Sequence, residues 1–413
     1  MTGDTFAACI GLDWACEKHD FCLCEKNSTN YEYGIIEHNP TAIDKWVLNL
    51  FDRFDGQLIA ICLELKSGPI VSWLQKYDFI RLFFITPLGM SSYRKAFCPS
   101  GAKDDPSDAF LQLELLCKHR HKLREVKLDD DNTRCIQQLT EQRRRLIQER
   151  VKLTQRISES LKTYYPLALK LFNRLDTTIF CEFVKRWPNF TEIRKARQST
   201  LETFFKVHKA NQRDLTEQRI TCIKTATPLT NDLAIVIPSQ LYTLSLIKQL
   251  EVLLDISKQY DEEIAARFEQ HEDKELFESL PGAGAVYAPR LLAAFGSDRD
   301  LFTSAEEVCK YSGIAPVKVR SGKKTWIHWR YQCSKFIRQT FVEWANKSRG
   351  SSYWASAFYN DKRTQGKSHQ IALRALAFKW IRIIFRCWKN HTKYDEATYL
   401  FALNRRHKEI EKI

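Results

Sequence analysis

Along the first 125 residues, short runs rich in β-branched and aromatic residues alternate with stretches whose apolar positions recur at helical spacing, the signature of an α/β unit. Segments 6–14 (FAACIGLDW), 20–26 (DFCLCEK) and 31–38 (YEYGIIEH) predict three consecutive strands joined by short polar turns. Segment 42–54 (AIDKWVLNLFDRF) predicts a helix. Apolar strands follow at 58–65 (LIAICLEL) and 80–86 (IRLFFIT), flanking a helical stretch at 69–77 (PIVSWLQKY). A last helix opens near Pro106 and runs through DAFLQLELLCKH.

From about Asp130 the pattern changes to long charged helices. Ile136, Leu139, Leu146, Leu153 and Ile157 fall on a heptad seam, with Arg143 and Arg150 at two of its a positions. Leu246, Leu250, Leu253, Tyr260 and Ile264 repeat the spacing. Two readings stay open: an antiparallel pair packing within the chain, or a dimerisation stalk or basic helical track along nucleic acid. Residues 173–237 carry shorter, weaker helical patterns. At 280–296, LPGAGAVYAPRLLAAFG matches a helix-hairpin-helix-like element, whose backbone N–H groups can hold a phosphate; an ordinary interhelical turn fits equally. A helix-rich, aromatic and basic tail follows. The fold class is therefore α/β plus all-α: an α/β domain over 1–125, a helical coiled-coil region over 126–275, and a mostly helical domain over 276–413.

Charge sharpens this division. The 413-residue chain carries a formal net charge of +14, and residues 318–413 hold 22 Lys or Arg against 6 Asp or Glu. The positive field is thus a C-terminal property and points to a polyanionic partner, with steeply salt-dependent binding. Thirteen cysteines are scattered, odd in number and never spaced Cys-x-x-Cys, which reads as small buried hydrophobes in a reducing compartment. With no run of about 18 apolar residues and no basic leader before an apolar core, a cytoplasmic protein without a membrane partner is expected.

The order of three strands, helix, strand, helix, strand, helix is that of a ribonuclease-H-like fold. In such a sheet the first and fourth strands are neighbours, so Asp13, ending the first, and Glu64, near the end of the fourth, could meet at one edge. Asp105 and Asp108 stand three apart at the opening of the last helix and share a face. Four converging carboxylates repel unless cations compensate them, and hard Mg²⁺, or Mn²⁺ in its place, favours oxygen ligands. Capping competes as an explanation, because an acid before Pro106 suits a helix start. Asp104 is the spare acid and is left outside the site.

Taken with RSGKK at 320–324, these residues resemble the DEDD-type insertion-sequence transposases, which include the pilin-gene invertases. IGLDWA resembles the family's Gly-hydrophobic-Asp opening, ICLELKSG its central Glu motif, and YRKAFCPSGAKDDPSDA its third block; LPGAGAVYAPRLLAAFG, YSGIAPVKVRSGKK and the Arg338 helix resemble its second domain. Cys333 and Ser334 stand where the family often has a glycine. The resemblance implies a RuvC-like N-terminal domain, a coiled-coil middle and a C-terminal domain whose serine is the DNA nucleophile. It assigns catalysis to Asp13, Glu64, Asp105, Asp108 and Ser321, with the four carboxylates as metal ligands. It further implies double-stranded donor and target DNA, a structured guide RNA encoded by the element, and a homo-oligomer, dimer or tetramer. Ser312, also before a glycine, competes with Ser321; the cations Arg320, Lys323 and Lys324 favour the latter. Lys318, Arg330 and Arg338 complete the candidate nucleic-acid-binding residues.

Two other functions fit the same residues. A metal-dependent nuclease or junction resolvase needs the carboxylates but not Ser321. A noncatalytic nucleic-acid binder needs only the basic tail, with some of Trp326, Trp329, Trp344, Tyr353, Trp354, Phe358 and Tyr359 as stacking groups rather than core.

Overall fold

The computed structural model describes residues 5–65, 68–97, 105–210 and 212–402, with the side chains of Asp105 and Pro106 outside the description. The chain forms two compact units, 1–128 and 129–413.

In the first unit the expected strands and helices form β1 (Ala8–Trp14), β2 (Lys18–Glu25), β3 (Glu32–Glu37), α1 (Pro40–Arg53), β4 (Ile59–Leu63), α2 (Pro69–Leu74), β5 (Ile80–Phe84), α3 (Pro87–Phe97), α4 (Asp105–His119) and β6 (Arg124–Glu125). The sheet order is β3-β2-β1-β4-β5-β6. β1 pairs antiparallel with β2 and parallel with β4, and β4 is parallel to β5. This is a mixed sheet of ribonuclease-H-like order. Strand β4 is buried along its whole length, which explains why it reads as a continuous apolar run. Helix α3 and the short β6 were not anticipated: PLGMSSYRKAF has weak helical periodicity, and only Met90 of it is buried.

The second unit is mostly helical. Two long helices, α5 (Asp131–Tyr164) and α11 (Leu233–Glu269), pack along each other. They run antiparallel, since Arg143 pairs with Asp261 near one end and Ser160 bonds Thr243 near the other. The structure pairs them within the chain, the first of the two readings, with Ile136, Leu153, Ile157, Leu246, Leu250 and Ile264 buried. Arg143 and Arg150, at a positions, reach Asp261 and Asp176. Helices α6 (Leu167–Leu171), α7 (Thr178–Arg186), α8 (Phe190–Arg194), α9 (Gln198–Val207) and α10 (Arg213–Thr225) form a separate aromatic core against this pair. By length and composition alone α11 could cross a membrane, with an 18-residue window of mean hydropathy 1.2.

The remainder comprises α12 (Lys274–Glu278), α13 (Gly284–Phe295), α14 (Ala305–Tyr311), a hairpin of β7 (Val317–Ser321) and β8 (Lys324–His328), then α15 (Lys335–Ser348), α16 (Tyr353–Thr364) and α17 (His369–Lys389). Trp344, Trp380 and Trp388 are wholly buried at its centre, each contributing on the order of 2 to 3 kcal/mol by removal of apolar area from water. Of the seven aromatics considered for base stacking, Trp344, Trp354 and Tyr359 are core and Phe358 packs against it, whereas Trp326, Trp329 and Tyr353 are exposed.

Candidate active site

Helix α4 lies directly over β1 at Gly11. A Cβ placed there would come within 1.9 Å of the Ala109 carbonyl oxygen and 2.5 Å of the Leu113 nitrogen, so only glycine lets the helix approach this closely. Side chains in a strand alternate between faces, so Cys9, Gly11 and Asp13 share the face that α4 covers. Residues 109 and 113 sit over Gly11, and Cys117, one turn further along α4, lines the same cleft as Cys9. The first turn of α4, with Asp105 and Asp108, therefore points toward the Asp13 end of the strand.

Glu64 follows directly on β4. Because Gly11 pairs with Cys62 in parallel register, Asp13 and Glu64, each two residues further on, lie at the same end of these neighbouring strands. Glu64 lies close enough to Cys62 to add, after burial, to the push that takes that thiol up to about 12. Sequence order thus places Asp13, Glu64 and the opening of α4 at one end of one sheet face. Among the described residues, no group of three or more His, Cys, Asp or Glu is close enough to hold a metal ion; the Asp105 side chain and all of Asp104 lie outside the described residues. The donor set, all carboxylate, has the chemistry that suits a hard divalent cation.

Two neighbours of these acids escaped the sequence reading. Asp108 is only 2% exposed, and its Oδ1 accepts from Arg94 on α3, from Nε at 2.8 Å and from Nη2 at 2.6 Å. The buried carboxylate is thus charge-compensated within the chain. Arg94 lies in the quoted third block, but nothing in its spacing marks it as a partner. Asp20 on β2 stands directly across from Asp13 and is buried, with Lys18 at 3.7 Å to offset like-charge repulsion. The i, i+2 spacing of Lys18 and Asp20 on a strand was the available signal. Beside them, buried His19 stacks on Trp14 at 4.2 Å and bonds His38 at 3.1 Å. Burial, then the His38 charge, lowers its pKa to about 4.

The candidate serine, in the second unit, lies on a solvent-exposed hairpin. Ser321 ends β7, and its cross-strand partner is Lys324, with Gly322 and Lys323 between them. Gly322 has φ +55°, the left-handed conformation that a two-residue hairpin loop requires at its first position. Alternation puts Val317, Val319, Ser321, Lys324, Trp326 and His328 on one face and Lys318, Arg320, Thr325 and Ile327 on the other. Val319, Trp326 and Ile327 are exposed, Ile327 by 72%. The hairpin was not anticipated, although the alternation VKVR before Ser-Gly is a hairpin signal.

Arginines hold the root of this hairpin. Arg330 donates to the Ala315 carbonyl, Arg338 to that of Arg330, and Arg374 to that of Gly313. The Arg374 guanidinium also lies 3.1 Å from the centroid of the Trp329 ring. Burial, then the Arg338 charge, lowers the Arg374 pKa to about 10. Two of the six candidate nucleic-acid-binding residues, Arg330 and Arg338, thus spend hydrogen bonds on the backbone, while Lys318, Arg320, Lys323 and Lys324 are exposed on the strands and turn. Ser312, the competing serine, is fully buried and donates to the Cys309 carbonyl.

Comparison with known proteins follows the same division. Residues 10–166 match a transposase family model of the DEDD IS110 type, and residues 274–360 match the model described as transposase IS116/IS110/IS902 family. A mini-circle protein of Streptomyces coelicolor, named as a transposase for IS117, is 24% identical over 406 residues, 96% of this chain and 97% of that one. The insertion element IS110 43.6 kDa protein of the same organism is 26% identical over 391 residues, 89% of this chain and 93% of its own. An insertion element IS900 42 kDa protein of Mycobacterium paratuberculosis is 25% identical over 302 residues, 72% and 74% of the two chains. With both family models met in order along one chain and relatives aligned over nearly its full length, the chain belongs to the IS110/IS116 family of insertion-sequence transposases.

Proposed function

We infer that this transposase cuts and rejoins DNA through a covalent phosphoserine link formed by Ser321. The observation that carries the reading is the exposed Ser321 hydroxyl position at the tip of a cationic hairpin, with Lys324 directly opposite on the same face, Lys323 in the turn, and Lys318 and Arg320 on the reverse face. Attack of the serine oxygen on phosphorus forms one P–O bond and breaks another. The serine proton ends on the departing sugar oxygen, and the bond energy is kept for reversal on a second strand. Lys323 and Lys324 neutralise the phosphate under attack, and Lys318 and Arg320 on the reverse face add to the positive field that draws the duplex in. Burial of Ser312 leaves the competing serine without access to a duplex.

Asp13, Glu64, Asp105 and Asp108 would hold a divalent cation, Mg²⁺ or Mn²⁺, which when bound supplies positive charge to the phosphate oxygens. Double-stranded donor and target DNA are the substrates, and a structured RNA from the element is their guide. The chain works as a homo-oligomer in the cytoplasm, a dimer or tetramer, because strand exchange needs paired ends. Exposed Leu233, Ile237, Leu241 and Val252 along α11 and Val151 on α5 offer apolar area for that association.

The test is a denaturing trap of protein with a DNA end of its own element. Wild type and Glu272→Gln yield covalent protein and DNA; Ser321→Ala yields none while still binding duplex. Cleavage by Ser321→Ala without rejoining would assign the chemistry to the carboxylates and water instead. Sequencing of nucleic acid that copurifies with the chain examines the guide: RNA from the DNA flanking its gene supports it, and random cellular RNA opposes it.

A further inference from the structure

The cysteines that look scattered in sequence gather on one sheet face. Cys9 and Cys24 are directly paired across β1 and β2, and α4, whose Leu113 lies over Gly11, carries Cys117 one turn further to their side of the sheet. These three line an open cleft of about 470 Å³ together with Lys26, Lys118 and Arg120. Cys117 is exposed, while Cys9 and Cys24 are half-buried. None belongs to the candidate catalytic residues, and the transposase family assignment gives no role to them.

We propose that Cys117 and Cys9 form a thiol oxidation site that takes a hydroperoxide and closes to an intrachain disulfide. The roles are set by their surroundings. The neighbouring Cys9 thiol pulls the Cys117 pKa below the ordinary thiol value; Lys118 pulls it in the same direction, against burial and Glu114. The same neighbour, followed by burial, raises Cys9. Cys117, exposed in the cleft, is the thiol a hydroperoxide meets first, and half-buried Cys9 on the same lining is placed to resolve it. Cys24, though adjacent, turns its own thiol to the Ser28 carbonyl at 3.3 Å. Cys22 is fully buried, and burial takes its thiol up to about 11.

In the first step the Cys117 thiolate attacks one peroxide oxygen. The O–O bond breaks, Cys117 becomes a sulfenic acid, and the released hydroxide takes a proton to become water or, from an organic hydroperoxide, an alcohol. In the second step the Cys9 sulfur attacks the Cys117 sulfur. The S–S bond forms, the S–O bond breaks, and hydroxide leaves with the Cys9 proton as water. Two thiols lose two electrons, and one hydroperoxide gains them. The link joins the strand that carries Asp13 to the helix that carries Asp105 and Asp108.

The experiment uses the full chain, reduced, desalted and exposed to hydrogen peroxide, then alkylated and digested with trypsin without reductant. Mass spectrometry of wild type is expected to find residues 1–18 linked to residues 104–118, with fragmentation placing the bond on Cys9 rather than Cys16 and dithiothreitol releasing it. Cys9→Ser is expected to leave Cys117 as a sulfenic acid captured by dimedone, and Cys16→Ser to leave the link intact. The proposal is overturned if wild-type Cys117 stays fully alkylatable after peroxide, or if its disulfide partner is Cys24 or a second chain. The decisive measurement is made on wild type, so a variant that fails to fold leaves the outcome readable.

Discussion

Replacing Gly11 by alanine tests how the acidic end of the sheet is assembled. The added Cβ would lie 1.9 Å from the Ala109 oxygen and 2.5 Å from the Leu113 nitrogen, both backbone atoms that no rotamer change can move. Helix α4 must retreat from β1 by roughly 1 Å or more to restore an ordinary contact, and overpacking of this kind costs about 1 to 3 kcal/mol. We expect the upper end of that range, because the helix backbone has to shift as a body. The same shift draws Asp108 away from Arg94, now at 2.6 Å, and moves the opening of α4 relative to the end of β1 that carries Asp13. Displacements near 1 Å at a reacting centre cost on the order of 100-fold in rate. Urea melts of Gly11→Ala should therefore show about 3 kcal/mol lost, and covalent DNA capture at a temperature where the variant is folded should fall about 100-fold. Gly350→Ala is the control, since a Cβ there meets only an ordinary 3.6 Å contact; it should change stability by less than about 0.5 kcal/mol. Wild-type stability and capture in Gly11→Ala would refute the close approach of α4 to β1.

Further expectations concern charge. Arg94→Ala strands the buried Asp108 carboxylate, and removal of one partner from such a pair costs about 3 to 5 kcal/mol; the double variant with Asp108→Asn should regain part of that in chemical denaturation. His19 titrates near 4 when folded against an ordinary value near 6.5, so below pH 6.5 the unfolded chain binds a proton that the folded chain refuses. Stability supplied by this group is present above pH 6.5 and falls as pH drops toward 4, by up to about 1.4 kcal/mol per pH unit. Urea midpoints across that window should show a shallower acid loss in His19→Gln; equal slopes would refute it. Neutralising Lys323 and Lys324 together should reduce the slope of log affinity against log salt for duplex DNA by about 2, measured by titration at several salt concentrations.

Much of the first unit was legible because its elements obey their local rules. Strands β1, β2, β4 and β5 are short apolar or alternating runs, and the helices between them carry one apolar stripe, so element order and the strand-ending positions of Asp13 and Glu64 could be read directly. The long helices were equally visible, but their heptad seam is silent about whether its partner lies in the same chain. The hairpin at Ser321 was missed because neither of its faces is buried, which removes the hydrophobic contrast that announces a strand. Arg94 and Asp20 were missed because contacts between α3 and α4, or across β1 and β2, depend on register rather than composition.

What the sequence determined by itself, then, was the kind and order of the elements, the positive C-terminal field and the identities of the carboxylates and serines, since these follow from periodicity and residue chemistry. Only the tertiary structure decided that α4 crosses β1 at a glycine, that Arg94 compensates Asp108, that Ser312 is buried while Ser321 faces Lys324, and that Cys9 and Cys117 line one cleft. Each of these is a distance between residues far apart in the chain, fixed by packing and strand register that no local pattern encodes.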